Sequence, residues 1–147
     1  MIDGINSALS DDISRFLAPQ EQDYPTALGE IRRGRKTSHW IWYIFPQLRG
    51  LGSSEYAWFF GINGLAEAKQ YAAHPLLYPR LIEITRALLA VPETRIDRIV
   101  GYPDDRKVRS CMTLFEAVCP HEPLFGQVLD KYYAGRRDGK TLEMIEK

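Results

Sequence analysis

The sequence predicts one all-α domain of seven or eight helices. Leu77, Leu81, Ile84 and Leu88 recur at helical spacing, and Val108, Met112, Phe115 and Val118 do so again. Each set falls on one face of a helix and marks it as core-facing. Prolines and glycines punctuate the chain between such segments, and no stretch shows the two-residue alternation of a strand. A chain of 147 residues fits a single domain, 1–147, with one core. At that size folding buries roughly 70% of the unfolded surface, so no staples are needed.

Asp11 and Asp12 read as caps of a short helix holding Ile13, Phe16 and Leu17, with Pro19 as its stop. Tyr24-Pro25 reads as the start of a second helix, because proline suits the first helical position. Ala27, Leu28 and Ile31 give that helix its stripe, and Gly34 its left-handed end. Thr37 or Ser38 is expected to cap a third helix that Pro46 terminates, since the residue before a proline avoids the helical region. Gly50-Leu51-Gly52-Ser53-Ser54 is a loop. Glu55 to Phe60 is either a short helix or an extended piece, with a β-favouring composition.

Asn63 caps a helix through Ala73, broken by His74-Pro75, and the next runs from Leu76 to Ala90 before Pro92. Ile96, Ile99 and Val100 make a single turn ahead of Gly101. Pro103-Asp104-Asp105 starts a long helix with its acids at the positive end. Leu124 to Tyr133 follows, with Gly135 as its end, and Thr141 to Glu146 closes the chain. The core is expected from Leu77, Leu81, Ile84, Leu88, Val108, Met112, Phe115 and Val128.

Lysine plus arginine and aspartate plus glutamate each total 19. A neutral chain is not built for strong non-specific binding to nucleic acid. No apolar run reaches the roughly 18 residues that span a bilayer. Met1 to Ser10 lacks the charged-then-apolar order of a secretion signal, so a cytoplasmic location without a membrane partner is expected. Cys111 and Cys119 on one helix would stand about 12 Å apart. A disulfide needs about 7 Å or less, so both are expected as thiols. His39, His74 and His121 are scattered, and no histidine or cysteine pair has metal-site spacing. Neither a metal nor a cofactor is expected.

The densest chemistry is Ser38-His39-Trp40-Ile41-Trp42-Tyr43-Ile44-Phe45-Pro46-Gln47, preceded by Arg32-Arg33-Gly34-Arg35-Lys36. The aromatics serve as core anchors in one reading. In the other, an indole facing a cavity is a stacking platform for a planar ligand. His39 at a helix start would stay neutral and able to donate, accept or act as a base. Gln47 adds an amide. The cations either complement a helix end or gather phosphate and carboxylate oxygens. Lys107, Ser110 and Thr113 share a second face of the long helix. Hydroxyls there either bond back to their own helix or line a polar cavity. Asp104 and Asp105 read as caps, Cys111 has no neighbour that would activate it, and Glu55 is the one acid near the aromatic run. No phosphate loop, dinucleotide fingerprint, nucleophile elbow or zinc motif occurs, so catalytic residues stay unassigned.

Four pieces of the chain together resemble DUF1810, a bacterial family of unknown function with the Rv1873-like fold. They are Lys36-Thr37-Ser38-His39-Trp40-Ile41-Trp42 with Ile44-Phe45-Pro46-Gln47; Gly50-Leu51-Gly52-Ser53-Ser54; His74-Pro75 with Arg80-Leu81; and Asp104-Asp105 with Lys107-Val108, Ser110 and Met112-Thr113-Leu114-Phe115. Val128-Leu129-Asp130-Lys131-Tyr132, Gly135 and Asp138 fit as well. The resemblance covers the chain from about residue 12 onward. It implies a compact all-α domain and brings no activity with it.

The residues point to a small anionic or nucleotide-like ligand in a pocket of His39, Trp42, Gln47, Lys107 and Ser110. Arg35 and Lys36 would stand at its mouth, with Lys131 a further candidate. Two alternatives stay open. The short stretch from Ser54-Glu55-Tyr56 to Lys69 is similar to the NADAR glycosidase family, which implies an ADP-ribose or N-glycoside hydrolase. Tryptophans exposed as hot spots would instead make a protein-interaction module, with its partner unknown. A ligand site needs a concave polar-lined pocket, and an interaction module a flat apolar patch.

Overall fold

The structure, a computed structural model, describes residues 12–146. The expected cap at Asp11 lies outside them. Asp12 Oδ1 accepts the Ser14 N–H at 2.8 Å and starts a 3-10 turn, Ile13–Phe16. That turn runs straight into α1, Leu17–Arg32, so the two helices expected here are one. Pro19 sits in the first turn, where an N–H has no intrahelical acceptor anyway. Pro25 is inside the helix but exposed, as is Glu21, whose carbonyl loses its donor on the solvated side.

The aromatic run is also built differently from the expectation. Its helix, α2, spans only Ile41–Ile44 and has no side-chain cap. Thr37 and Ser38 are committed elsewhere. The Thr37 and Ser38 N–H groups, the Ser38 hydroxyl and the Trp40 indole N–H donate to the Glu30 carboxylate at 2.8, 3.0, 2.5 and 2.9 Å. Residues 37–40 are thus a loop wrapped around an acid of α1, and Glu30 is buried there. Burial pushes its pKa up. The bonds from the Ser38 hydroxyl, Thr37, Trp40 and the Ser38 N–H outweigh this and hold it at about 2, against 4.5 ordinarily.

Segment 55–60 resolves as a helix, α3, Glu55–Phe59, with the Ser54 hydroxyl accepting the Ala57 N–H at 3.0 Å. Then come α4, Gly64–Ala73; α5, Leu77–Ala90; α6, Ile96–Ile99; α7, Asp104–Val118; α8, Leu124–Tyr133; and α9, Gly139–Glu146. Among the described residues there are nine α-helices, several only a turn long, rather than seven or eight. The one ladder contact described is a parallel bridge between Leu48 and Ile62. None of these helices is long and apolar enough to cross a membrane.

α7 packs on α4, α8 and α9, while α5 packs on α1 and α8. All eight residues expected to build the core are buried. A line of rings, Phe16, Tyr71, Phe115 and Phe125, runs through it at centroid spacings of 5.2, 5.3 and 6.0 Å. A buried ion pair ties the 3-10 turn to α4: Arg15 meets both Glu67 oxygens, at 2.8 and 2.6 Å. Arg15 also donates to the carbonyls of Phe59 and Gly61, each at 2.7 Å. With the bond from Nη1 to the Asp12 carbonyl at 2.8 Å, the guanidinium makes five hydrogen bonds, two of which hold loop 59–61 in place. Gly61 must be glycine, since a Cβ there would meet the Arg49 Cα at 2.5 Å.

A candidate ligand cleft beside helix α7

The first two turns of α7 carry Asp104, Asp105, Arg106, Lys107, Arg109 and Ser110. Their core-opposed side forms one wall of a cleft of about 660 Å³. The loop after α2 gives Gln47, Leu51 and Gly52; α8 gives Tyr132 and Tyr133; the approach to α9 gives Asp138 and its first turn Lys140. The Leu48–Ile62 bridge fixes the loop side, because the Ile62 N–H donates to the Gln47 carbonyl at 2.9 Å. Gly52 closes it tightly: a Cβ there would lie 2.7 Å from the Ala57 Cβ and 3.4 Å from Gln47 Nε2.

Charge in the cleft is unbalanced. Arg106, Lys107, Arg109 and Lys140 face Asp105 and Asp138. Asp138 is largely committed, with Oδ2 accepting the Thr141 N–H at 3.0 Å and the Thr141 hydroxyl at 2.6 Å. Its Oδ1 stands 3.6 Å from Arg109 Nη2. Arg109 Nε is buried and has no acceptor among the described residues. The Arg106 guanidinium lies 5.0 Å from the Tyr102 ring centroid. The Tyr133 hydroxyl donates to the Asp105 carbonyl at 2.6 Å, and burial pushes its pKa well above the phenol range, so it stays neutral. The Ser110 hydroxyl bonds back to the Arg106 carbonyl at 3.2 Å.

Gln47, Lys107 and Ser110 border this cleft. Trp42 does not. It is half-buried, stacks edge-to-face on Tyr56 at 5.0 Å, and has the Lys107 ammonium 5.4 Å from its ring centroid. Trp42 lines a separate cavity of about 10 Å³ that shares Gln47 and Lys107 with the cleft. His39 and Arg35 are exposed, neither lines the cleft, and His39 precedes the start of α2. Lys36 is held by Asp104 at 2.8 Å and lies over Trp40, 5.1 Å from its centroid. Lys107 contacts the other oxygen of the same Asp104 at 3.3 Å. Lys131 is used elsewhere: its ammonium donates to the carbonyls of Leu89 and Val91 and caps α5.

Arg106, Arg109, Lys140, Asp138 and the two tyrosines were not anticipated as cleft residues. Arg106 and Arg109 had a signal, since they share a helical face with Ser110 and Thr113. Lys140 and the tyrosines had none, because only the packing of α8 and α9 on α7 brings them near. Of the tryptophans, Trp40 is 1% exposed and Trp58 is 58% exposed. Trp58, Tyr56 and Phe59 flank an apolar hollow along α3. Cys111 is buried, Cys119 is half-buried, and both are free thiols.

An all-helical domain with a basic cleft beside its long central helix is thus the class that fold and site define. The chain belongs to the family described as "Protein of unknown function (DUF1810)", which matches residues 10–145. It is similar to a solved structure, the conserved hypothetical protein Rv1873 from Mycobacterium tuberculosis. That likeness has 43% identity and a TM-score of 0.91, over 93% of this chain and 98% of the other. No curated protein matches.

Proposed function

We propose that the α7 cleft binds a small anionic, nucleotide-like ligand. The observation that carries this reading is the convergence of four cations on a concave site with two acids, one of them already spent as a helix cap. The buried Nε of Arg109, without an acceptor among the described residues, supports it, because a buried donor left unpaired costs roughly 1–3 kcal/mol. A volume of about 660 Å³ lies within the range of roughly 300–1,000 Å³ for small-molecule sites. Tyr132 and Tyr133 offer apolar ring surface next to the charges, as a base or sugar requires. An anion would be gripped by Arg106, Lys107, Arg109 and Lys140 through charge-assisted bonds.

The test is a thermal-shift screen of nucleotides, sugar phosphates and ADP-ribose. A ligand at about 100 times its Kd should add roughly 2.7 kcal/mol of stability. The double variant Arg106→Gln/Lys140→Gln, in which both altered residues are exposed, should weaken that ligand while leaving unliganded stability within about 0.5 kcal/mol. No stabilisation by any member of the screen, or equal stabilisation of the double variant, would overturn the reading.

A further inference from the structure

The small cavity behind the cleft holds a second donor without an acceptor. Trp42 Nε1 is buried, and no acceptor among the described residues reaches it. Trp42, Gln47 and Lys107 line that cavity together with apolar Ile41, Phe45 and Phe60. Gln47 and Lys107 line the large cleft as well, so these two side chains separate the two spaces. The polar groups on the cavity wall are an indole N–H, an amide and an ammonium, a set dominated by donors. Lys107 also carries charge to spare: Lys36 and Lys107 share the single carboxylate of Asp104, at 2.8 and 3.3 Å, and one positive charge of the three is unbalanced.

We propose that one oxygen of the bound anion seats at this partition, shared by the Trp42 indole N–H, Gln47 and Lys107. The proposal rests on the reading of the cleft as an anion site and adds the polarity of binding: the ligand enters oxyanion first, toward Trp42. A cavity of about 10 Å³ takes one water-sized atom. The seat therefore accepts a single terminal oxygen, from a carboxylate or a phosphoryl group, with the rest of the ligand in the cleft beside Arg106 and Arg109.

The experiment is an amide and indole NMR titration of the wild-type protein with succinate, inorganic phosphate and pyrophosphate in turn. The Trp42 indole proton should move downfield together with the amides of residues 106–110, and the probe that moves it names the oxyanion. Trp42→Phe, which keeps a ring but removes the N–H, should raise that probe's Kd about tenfold or more, the value of a charge-assisted hydrogen bond. The shift is read on wild-type protein, so it stands even where the variant folds poorly. Movement of the 106–110 amides with a fixed Trp42 indole would keep the cleft reading and overturn this seat. No movement of either by any probe would overturn both.

Discussion

Trp40 and Trp42 stand two residues apart in one motif, and the fold treats them oppositely. The Trp40 ring is 1% exposed and its N–H ends on the Glu30 carboxylate. The Trp42 ring is half-buried beside Lys107, and its N–H is enclosed without an acceptor among the described residues. The first is one strand of a closed knot in which an acid of α1 has its donors supplied from a single loop. The second lines the small cavity behind the cleft, whose polar lining is mostly donors. A motif that looks uniform in sequence is therefore half scaffold and half candidate site. Ring burial and satisfaction of the polar atom both differ between the halves, and the second is the one that points to a ligand.

Variants can break the contrast, and the largest effect belongs to the knot. Glu30→Ala should cost at least about 3 kcal/mol in urea unfolding, because hydrogen bonds to a charged group contribute roughly 1.5–3 kcal/mol each and the donors left behind are enclosed. An effect under about 1 kcal/mol would mean that the loop re-solvates freely.

The acid's titration gives the next. Its folded pKa of about 2 lies below the ordinary 4.5, so its contribution is complete above about pH 4.5 and fades as pH falls toward 2. Wild-type stability should lose this component over that interval, and Glu30→Gln should lack it. Identical acid limbs in the two proteins would contradict the assignment.

Trp40→Phe removes one donor from the knot and should cost roughly 1–3 kcal/mol. Trp42→Phe removes an N–H that has no acceptor among the described residues and should stay within about 0.5 kcal/mol of wild type. If the two phenylalanine variants prove equally destabilised, the division between scaffold and site is wrong.

The parts legible in the sequence were those written in local periodicity. The stripes of α5, α7 and α8 and the eight core residues followed from spacing alone. The start of α7 at Asp104, and Gln47, Lys107 and Ser110 as neighbours of one cleft, followed from residue chemistry added to that spacing. What failed was decided by contacts between distant residues. Pro19 and Pro25 read as boundaries, yet the first occupies a free N-terminal position and the second an outward face of a helix packed on α5. Thr37 and Ser38 read as caps because their side chains suit that task, but a nearby carboxylate took their donors. Glu30 itself looks like any surface acid between Gly29 and Ile31. Only the folding back of the next ten residues makes it an interior acceptor. Lys140 reaches the cleft through the docking of α9, which no local pattern records.

Asp138 links two things that would otherwise be independent. One of its oxygens starts α9 by accepting hydrogen bonds from both the N–H and the hydroxyl of Thr141, and the other faces Arg109. Its own N–H donates to the Thr113 hydroxyl, which in turn donates to the Arg109 carbonyl. The carboxyl-terminal helix is thereby hinged on the same arginine that an incoming anion would attract. An anion filling the cleft would draw on a contact that anchors α9. Amide exchange in α9 should therefore change with ligand concentration, so that a segment contributing a single cation to the cleft becomes its natural reporter.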